Sequence, residues 1–90
     1  MKTLSEQVAN EIKAELESLP EKYANSTFNS YHEGLAVIQE EFEELKDEVF
    51  THDLNQAYRI EYTDSTHRRR MRKQAIQIAA MCVRFIQELT

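Results

Sequence analysis

Ser30-Tyr31-His32-Glu33-Gly34-Leu35-Ala36-Val37-Ile38-Gln39-Glu40-Glu41-Phe42-Glu43-Glu44-Leu45-Lys46-Asp47-Glu48-Val49-Phe50 is the stretch that decides the fold. It opens with Ser-x-x-Glu, the pattern in which a serine hydroxyl and a glutamate carboxylate each satisfy an orphan amide at a helix start. Leu35, Ile38, Phe42, Leu45 and Val49 then recur at steps of three and four. At 3.6 residues per turn they form one apolar stripe, which predicts a helix from about Tyr31 to about Phe50.

The flanks carry the same period. Thr3 with Glu6 reads as a capping box, followed by Leu4, Val8, Ile12, Leu16 and Leu19 at helical spacing, with Pro20 as the stop. Residues 21–29 are polar and read as a connection. Residues 51–66 read as a structured loop, within which Asp53 to Gln56 is a candidate helical turn and Arg59 to Thr63 alternates like an extended piece. A third helix is expected from near Thr66 to the C-terminus. On it Met71, Ala75, Ile78, Cys82, Phe85 and Leu89 form one apolar row, widened by Ile76, Ala79, Val83 and Ile86. One neighbour cannot cover so wide a face. This helix is expected to lie centrally in a bundle or to be completed by a second subunit. The fold class is therefore all-α, three main helices in one domain spanning residues 1–90.

Composition agrees. One Gly and one Pro leave few tight turns, and 41% hydrophobic with 30% charged residues suits a folded rather than a disordered chain. Ninety residues bury a modest core, so oligomerisation is expected. A net charge of −5 argues against nucleic acid as the main partner. The sequence has no apolar run long enough to cross a bilayer, and Met1 to Glu6 lacks the apolar core of a signal peptide. The single cysteine, Cys82, lies in an apolar run and reads as a small buried hydrophobe. A cytoplasmic location is the consistent expectation.

Two charge clusters are candidates for chemistry. Glu33, Glu40, Glu41, Glu43, Glu44, Asp47 and Glu48 stand in one helix against a single base, Lys46. Like charges three or four residues apart cost about 0.2–0.5 kcal/mol per pair, which something must offset. Glu41, Glu44 and Glu48 share a face about 60° wide, and Glu41 lies about 40° from Leu45, at the edge of the apolar stripe. Carboxylates at a groove edge are hard ligands suited to Mg²⁺ or Mn²⁺, and a solvated acidic face is the alternative. The second cluster, Arg68, Arg69, Arg70, Arg72 and Lys73, follows His67 at the start of the third helix. Cations there oppose the helix dipole, while arginine is shaped for bidentate phosphate contacts. Acids and arginines together suit a substrate whose phosphates meet both, such as a nucleoside triphosphate. Arg–Glu pairing between helices and solvated surface are the competing readings.

The stretch His32 to Leu45, together with Ala75-Ile76-Gln77-Ile78-Ala79-Ala80-Met81-Cys82-Val83-Arg84-Phe85-Ile86, resembles the MazG-like all-α nucleotide pyrophosphohydrolases, and looks closest to the short forms of phages and mobile elements. The resemblance covers roughly Ser30 to Leu89. It implies a helical bundle assembled as a homodimer or homotetramer that cleaves a nucleoside triphosphate between its α and β phosphates with Mg²⁺. The family's Glu-Glu-x-x-Glu motif falls on Glu40, Glu41 and Glu44. By that likeness Glu41 and Glu44 are the catalytic pair, and Glu40, Glu41, Glu44 and Glu48 are metal ligands, with Asp47 a further candidate. The second motif, Glu-x-x-Asp, falls on Gln74 and Gln77, which bring no charge. An amide oxygen ligates a hard cation more weakly than a carboxylate and cannot serve as a base. Three readings follow: a reduced active site helped by Glu48, Glu61 or Asp64; binding without turnover; or a non-catalytic helical oligomer that binds a nucleotide or protein partner.

Smaller candidates remain. His32, His52 and His67 show no metal-binding spacing and read as capping or exposed residues. Phe28, Tyr31 and Tyr62 are expected in packing rather than base stacking. Arg84 reads as lying on the polar side of its helix, paired with a glutamate of the second helix or reaching phosphate.

Overall fold

The computed structural model describes residues 3–18, 27–58 and 64–90, with side chains placed outside the 52–64 stretch. The described residues form three helices: α1 (Glu6–Glu17), α2 (Tyr31–Tyr58) and α3 (Asp64–Leu89). Both α1 and α2 pack against α3, which is the central helix that its wide apolar face implies.

Helices α1 and α2 start where a local donor is satisfied. The Val8 amide donates to Ser5 Oγ at 3.1 Å, so Ser5 rather than Thr3 is the cap of α1. Leu4 consequently sits outside the helix, 69% exposed. At the far end the Ser18 amide donates to the Ala14 and Glu15 carbonyls and closes the last turn. The stop expected at Leu19-Pro20 lies outside the described residues. Before α2, the Glu33 amide donates to Ser30 Oγ at 3.1 Å, as the Ser-x-x-Glu pattern predicts. The Glu33 carboxylate accepts from Asn29 Nδ2 at 2.9 Å. α2 runs two turns past Phe50 to Tyr58, so residues 51–58 are helical and not the loop their mixed pattern suggests. No Gly or Pro interrupts that segment, and with nothing to break the hydrogen-bond ladder it propagates. The alternating Arg59 to Thr63 stretch lies outside the described residues. α3 starts at Asp64, two residues before the expected Thr66.

The core is small: Phe28, Ala80 and Met81, with Ile12, Leu16, Val37, Ile38, Phe85 and Leu89 packed on it. Its tightest point is Gly34, on α2. A methyl group there would come within 2.6 Å of Phe85 Cδ2 and 3.0 Å of Leu89 Cδ1. Glycine is the residue that lets α2 approach α3 this closely. Tyr31 sits beside the same ring, centroids 6.3 Å apart.

The facing of α3 departs from expectation. Among the described residues the buried ones of this helix are His67, Ala80, Met81 and Arg84, with Gln74 and Glu88 half-buried at heptad spacing from His67 and Met81, while Phe85 and Leu89 of the expected row pack on the core. Arg84 is therefore not on the outer polar side. Its guanidinium lies 4.3 Å above the Phe28 ring and donates through Nε to Glu88 Oε2 at 2.7 Å, within its own helix. Glu88 Oε1 accepts the Phe28 amide at 2.7 Å. Hydrogen bonding from Arg84, with the Phe28 amide adding to it against the opposing effect of burial, holds the Glu88 carboxyl below the usual carboxylate range. A depressed folded pKa means this stabilisation is complete above the ordinary carboxylate pKa and is lost as pH falls through the lower folded value. With this side turned inward, Ala75 of the expected apolar row is exposed and Ile86 is 62% exposed.

Substituting Gly34→Ala tests the close approach. The helix interior gains up to about 1 kcal/mol in propensity, whereas overpacking costs about 1–3 kcal/mol. A net loss of about 1–2 kcal/mol is expected in urea unfolding. A variant as stable as the parent would show that α2 and α3 are not held this close.

Candidate functional site

The acids of α2 face in different directions. Glu40, Glu43, Glu44 and Asp47 are exposed, and Glu43 makes a loose pair with Lys46 at 3.8 Å. Glu41 is half-buried. Its Oε2 is buried without a hydrogen-bond partner, and so is Oε1 of Gln74 on α3. Burial raises the Glu41 pKa first, then repulsion and shared hydrogen bonding with Glu44, then the charges of Glu40 and of Glu15 on α1. An acceptor oxygen buried without a donor is costly unless a proton or a cation meets it.

Glu48, expected with the metal ligands, is engaged elsewhere. Its Oε1 is 2.9 Å from Nδ1 of His67, whose side chain is 0% exposed. His67 is thus neither an exposed residue nor a simple cap. It ties the start of α3 to the middle of α2. Among the described residues no group of three or more His, Cys, Asp or Glu is arranged to hold a metal. Glu40, Glu41, Glu44 and Glu48 do not converge as one shell. Glu61 and the Asp64 side chain are outside the described structure, as are Tyr62 and the side chain of His52. Phe28 is in the core rather than free to stack on a base, and His32 is exposed.

The basic cluster wraps around α3 instead of forming one patch. Arg68 borders an open groove between α1 and α3, whereas Arg69, Arg72 and Lys73 line a second depression with Glu11 and Glu15 of α1. Arg72 makes a two-pronged contact with Glu11, Nη2 to Oε2 at 2.7 Å and Nε to Oε1 at 3.4 Å. Arg70 is exposed. Arg–Glu pairing between helices, one of the competing readings, is realised here, though by helix α1 rather than α2. Glu15 links the two clusters: it lines the basic depression, and its charge also reaches Glu41. Sequence periodicity missed Glu11 and Glu15. Their i, i+4 spacing marks a common face of α1, but the register of α1 on α3 decides what that face meets.

Glu41 is a site of local cost. Replacing it with Gln removes the charge whose burial is costly and its repulsion from Glu44. Glu41→Gln is expected to raise the melting temperature at pH 7 without added metal by several degrees, corresponding to about 1 kcal/mol. The sign follows from linkage: a raised carboxyl pKa favours the folded state in acid and is a growing penalty as pH rises through it. A lower melting temperature would mean that the Glu41 carboxylate is already well satisfied.

No protein-family model matches the chain, and comparisons with curated proteins and with solved structures return no match.

Proposed function

We propose that this chain binds a divalent cation carried by a nucleoside triphosphate, with Glu41 and Glu44 as its acidic ligands, and hydrolyses that nucleotide to a monophosphate and pyrophosphate. The observation that carries the reading is Glu41 Oε2, buried without a donor in a carboxyl that Glu44 repels; Gln74 Oε1 on α3 is likewise buried without a donor. A hard cation is an occupant that suits such an oxygen. Gln74 is also the position on which the second motif of the MazG-like resemblance falls.

The sparseness of the acids bears on which cation fits. Mg²⁺ is ordinarily held by one or two carboxylates, with water and substrate phosphates completing its octahedron. Glu41 and Glu44 meet that need for a cation that arrives with its nucleotide, and a prebuilt cage of four acids is not required. Bound there, the ion would neutralise phosphate charge and lower the pKa of a water. The protein's own parts would be Glu41 and Glu44 as ligands, with Glu44 or Glu40 accepting a proton. Arg69, Arg72 and Lys73 would receive the phosphates, while Glu15 keeps the cations of that depression from collapsing onto the acids. Cleavage between the α and β phosphates rests on the family resemblance alone.

The second reading is a non-catalytic helical oligomer that binds a partner. It is favoured by the large apolar side chains left exposed on α2, among them Leu35 and Phe42.

Melting curves with Mg²⁺ alone, nucleotide alone and both together separate the two readings. Ligand at about 100 times its Kd stabilises a native state by about 2.7 kcal/mol. The expected outcome is a clear rise only with both present, release of pyrophosphate from at least one (d)NTP, and loss of both effects in Glu41→Gln. No shift and no pyrophosphate across a (d)NTP panel with Mg²⁺ or Mn²⁺ would leave the second reading standing alone.

A further inference from the structure

The basic depression beside α3 has two sides of opposite charge. Among the described residues its bases, Arg69, Arg72 and Lys73, all come from α3, and its acids, Glu11 and Glu15, both come from α1. Arg69, Arg72, Lys73 and Ile76 fall within about 100° of the α3 circumference, so they form one face. Helix α1 lies against that face with carboxylates where an anion would sit. Arg72 holds Glu11 by two prongs, Nη2 to Oε2 at 2.7 Å and Nε to Oε1 at 3.4 Å. The same fork is the one by which a guanidinium takes phosphate.

Among the described residues little else fastens α1. None of its residues is fully buried, and only Ile12 and Leu16 pack on the core. An open groove of about 850 Å³ lies between Val8 and Ile12 of α1 and Met71, Ala75 and Ile76 of α3. The ion pair is itself half in water, with Arg72 49% and Glu11 35% exposed, and pairs of that kind are readily broken. A helix of twelve residues held in this way is poised to open ahead of the rest of the fold. When it lifts, Glu11 and Glu15 leave with it, and the three cations of α3 lose the carboxylates that oppose them.

We infer that α1 is an autoinhibitory latch: Glu11 occupies Arg72 in place of a polyphosphate anion, and such an anion, bound across Arg69, Arg72 and Lys73, releases Glu11 and frees α1 from α3. One fork replaces another on Arg72, and the further phosphates gain Arg69 and Lys73. The closed latch withholds the site for part of the time, so the apparent affinity falls below the intrinsic one by the open fraction. The latch rests on the proposed function only in that phosphates enter this depression; a cation at Glu41 and turnover are not required.

Hydrogen exchange of the full chain tests it, with inorganic triphosphate as the probe and no divalent metal present. Saturating triphosphate should speed exchange of the α1 amides several-fold and leave those of α3 from Gln77 to Phe85 unchanged. NaCl at the same ionic strength should do much less. Glu11→Gln, with its helix content checked by circular dichroism, should show fast α1 exchange without the probe. It should also bind triphosphate about two- to fivefold more tightly, the worth of a surface ion pair. Arg72→Gln should free α1 in the same way but bind the probe more weakly than the parent. Binding with unchanged α1 exchange, or an equal effect of NaCl, would overturn the latch and leave the phosphate site standing. No binding by the parent or by Glu11→Gln would overturn both.

Discussion

The Arg84–Glu88 pair, closed over Phe28, is the contact from which the arrangement of the helices follows. Burying a guanidinium is costly unless its charge is matched and its donors are used. Here Glu88 matches it through both carboxylate oxygens, the Phe28 ring covers its face, and the Phe28 amide also donates to Glu88 Oε1. The segment just before α2 is thereby fastened to the last turn of α3. From that fixed end, Gly34 lets α2 descend close along α3, and His67 receives Glu48 near the other end.

That fastening sets the rotation of α3. Once Glu88 points inward, the positions one, two and three heptads earlier, Met81, Gln74 and His67, fall on the same side of the helix. The interior thus holds polar groups beside its apolar core, and part of the more hydrophobic side of α3 borders an open groove. The same rotation brings the Gln74 oxygen into the interior and leaves Glu41 on α2 with an oxygen that has no donor. A cost left at one place by packing at another is a common circumstance of binding sites. The open groove and the candidate cation site are, on this view, two consequences of a single packing choice.

Much of this was legible in the sequence because it is local. The Ser30 cap and the existence of α2 and α3 depend on residues within a turn or two of each other. The direction α3 faces is different. Its apolar row is plain by periodicity, yet Arg84, Glu88 and Phe28 outweigh it, and Phe28 is sixty residues from Glu88 in the chain. His67 read as an exposed basic neighbour because nothing nearby signals Glu48. The cap at Ser5 rather than Thr3 is a choice between two adequate residues two positions apart, which sequence resolves poorly. At the site, the acids were visible and their partners were not: Glu11 and Glu15 matter only through the register of α1 on α3.

The most direct test of this account is a double-mutant cycle on Arg84→Met and Glu88→Gln, followed by urea unfolding at neutral and acid pH. A coupling of about 2 kcal/mol is expected at neutral pH, in the range of charge-assisted hydrogen bonds, shrinking as Glu88 protonates. Effects that simply add, within about 0.5 kcal/mol, would mean that the pair does not orient α3 and that the polar groups are not held inward by it.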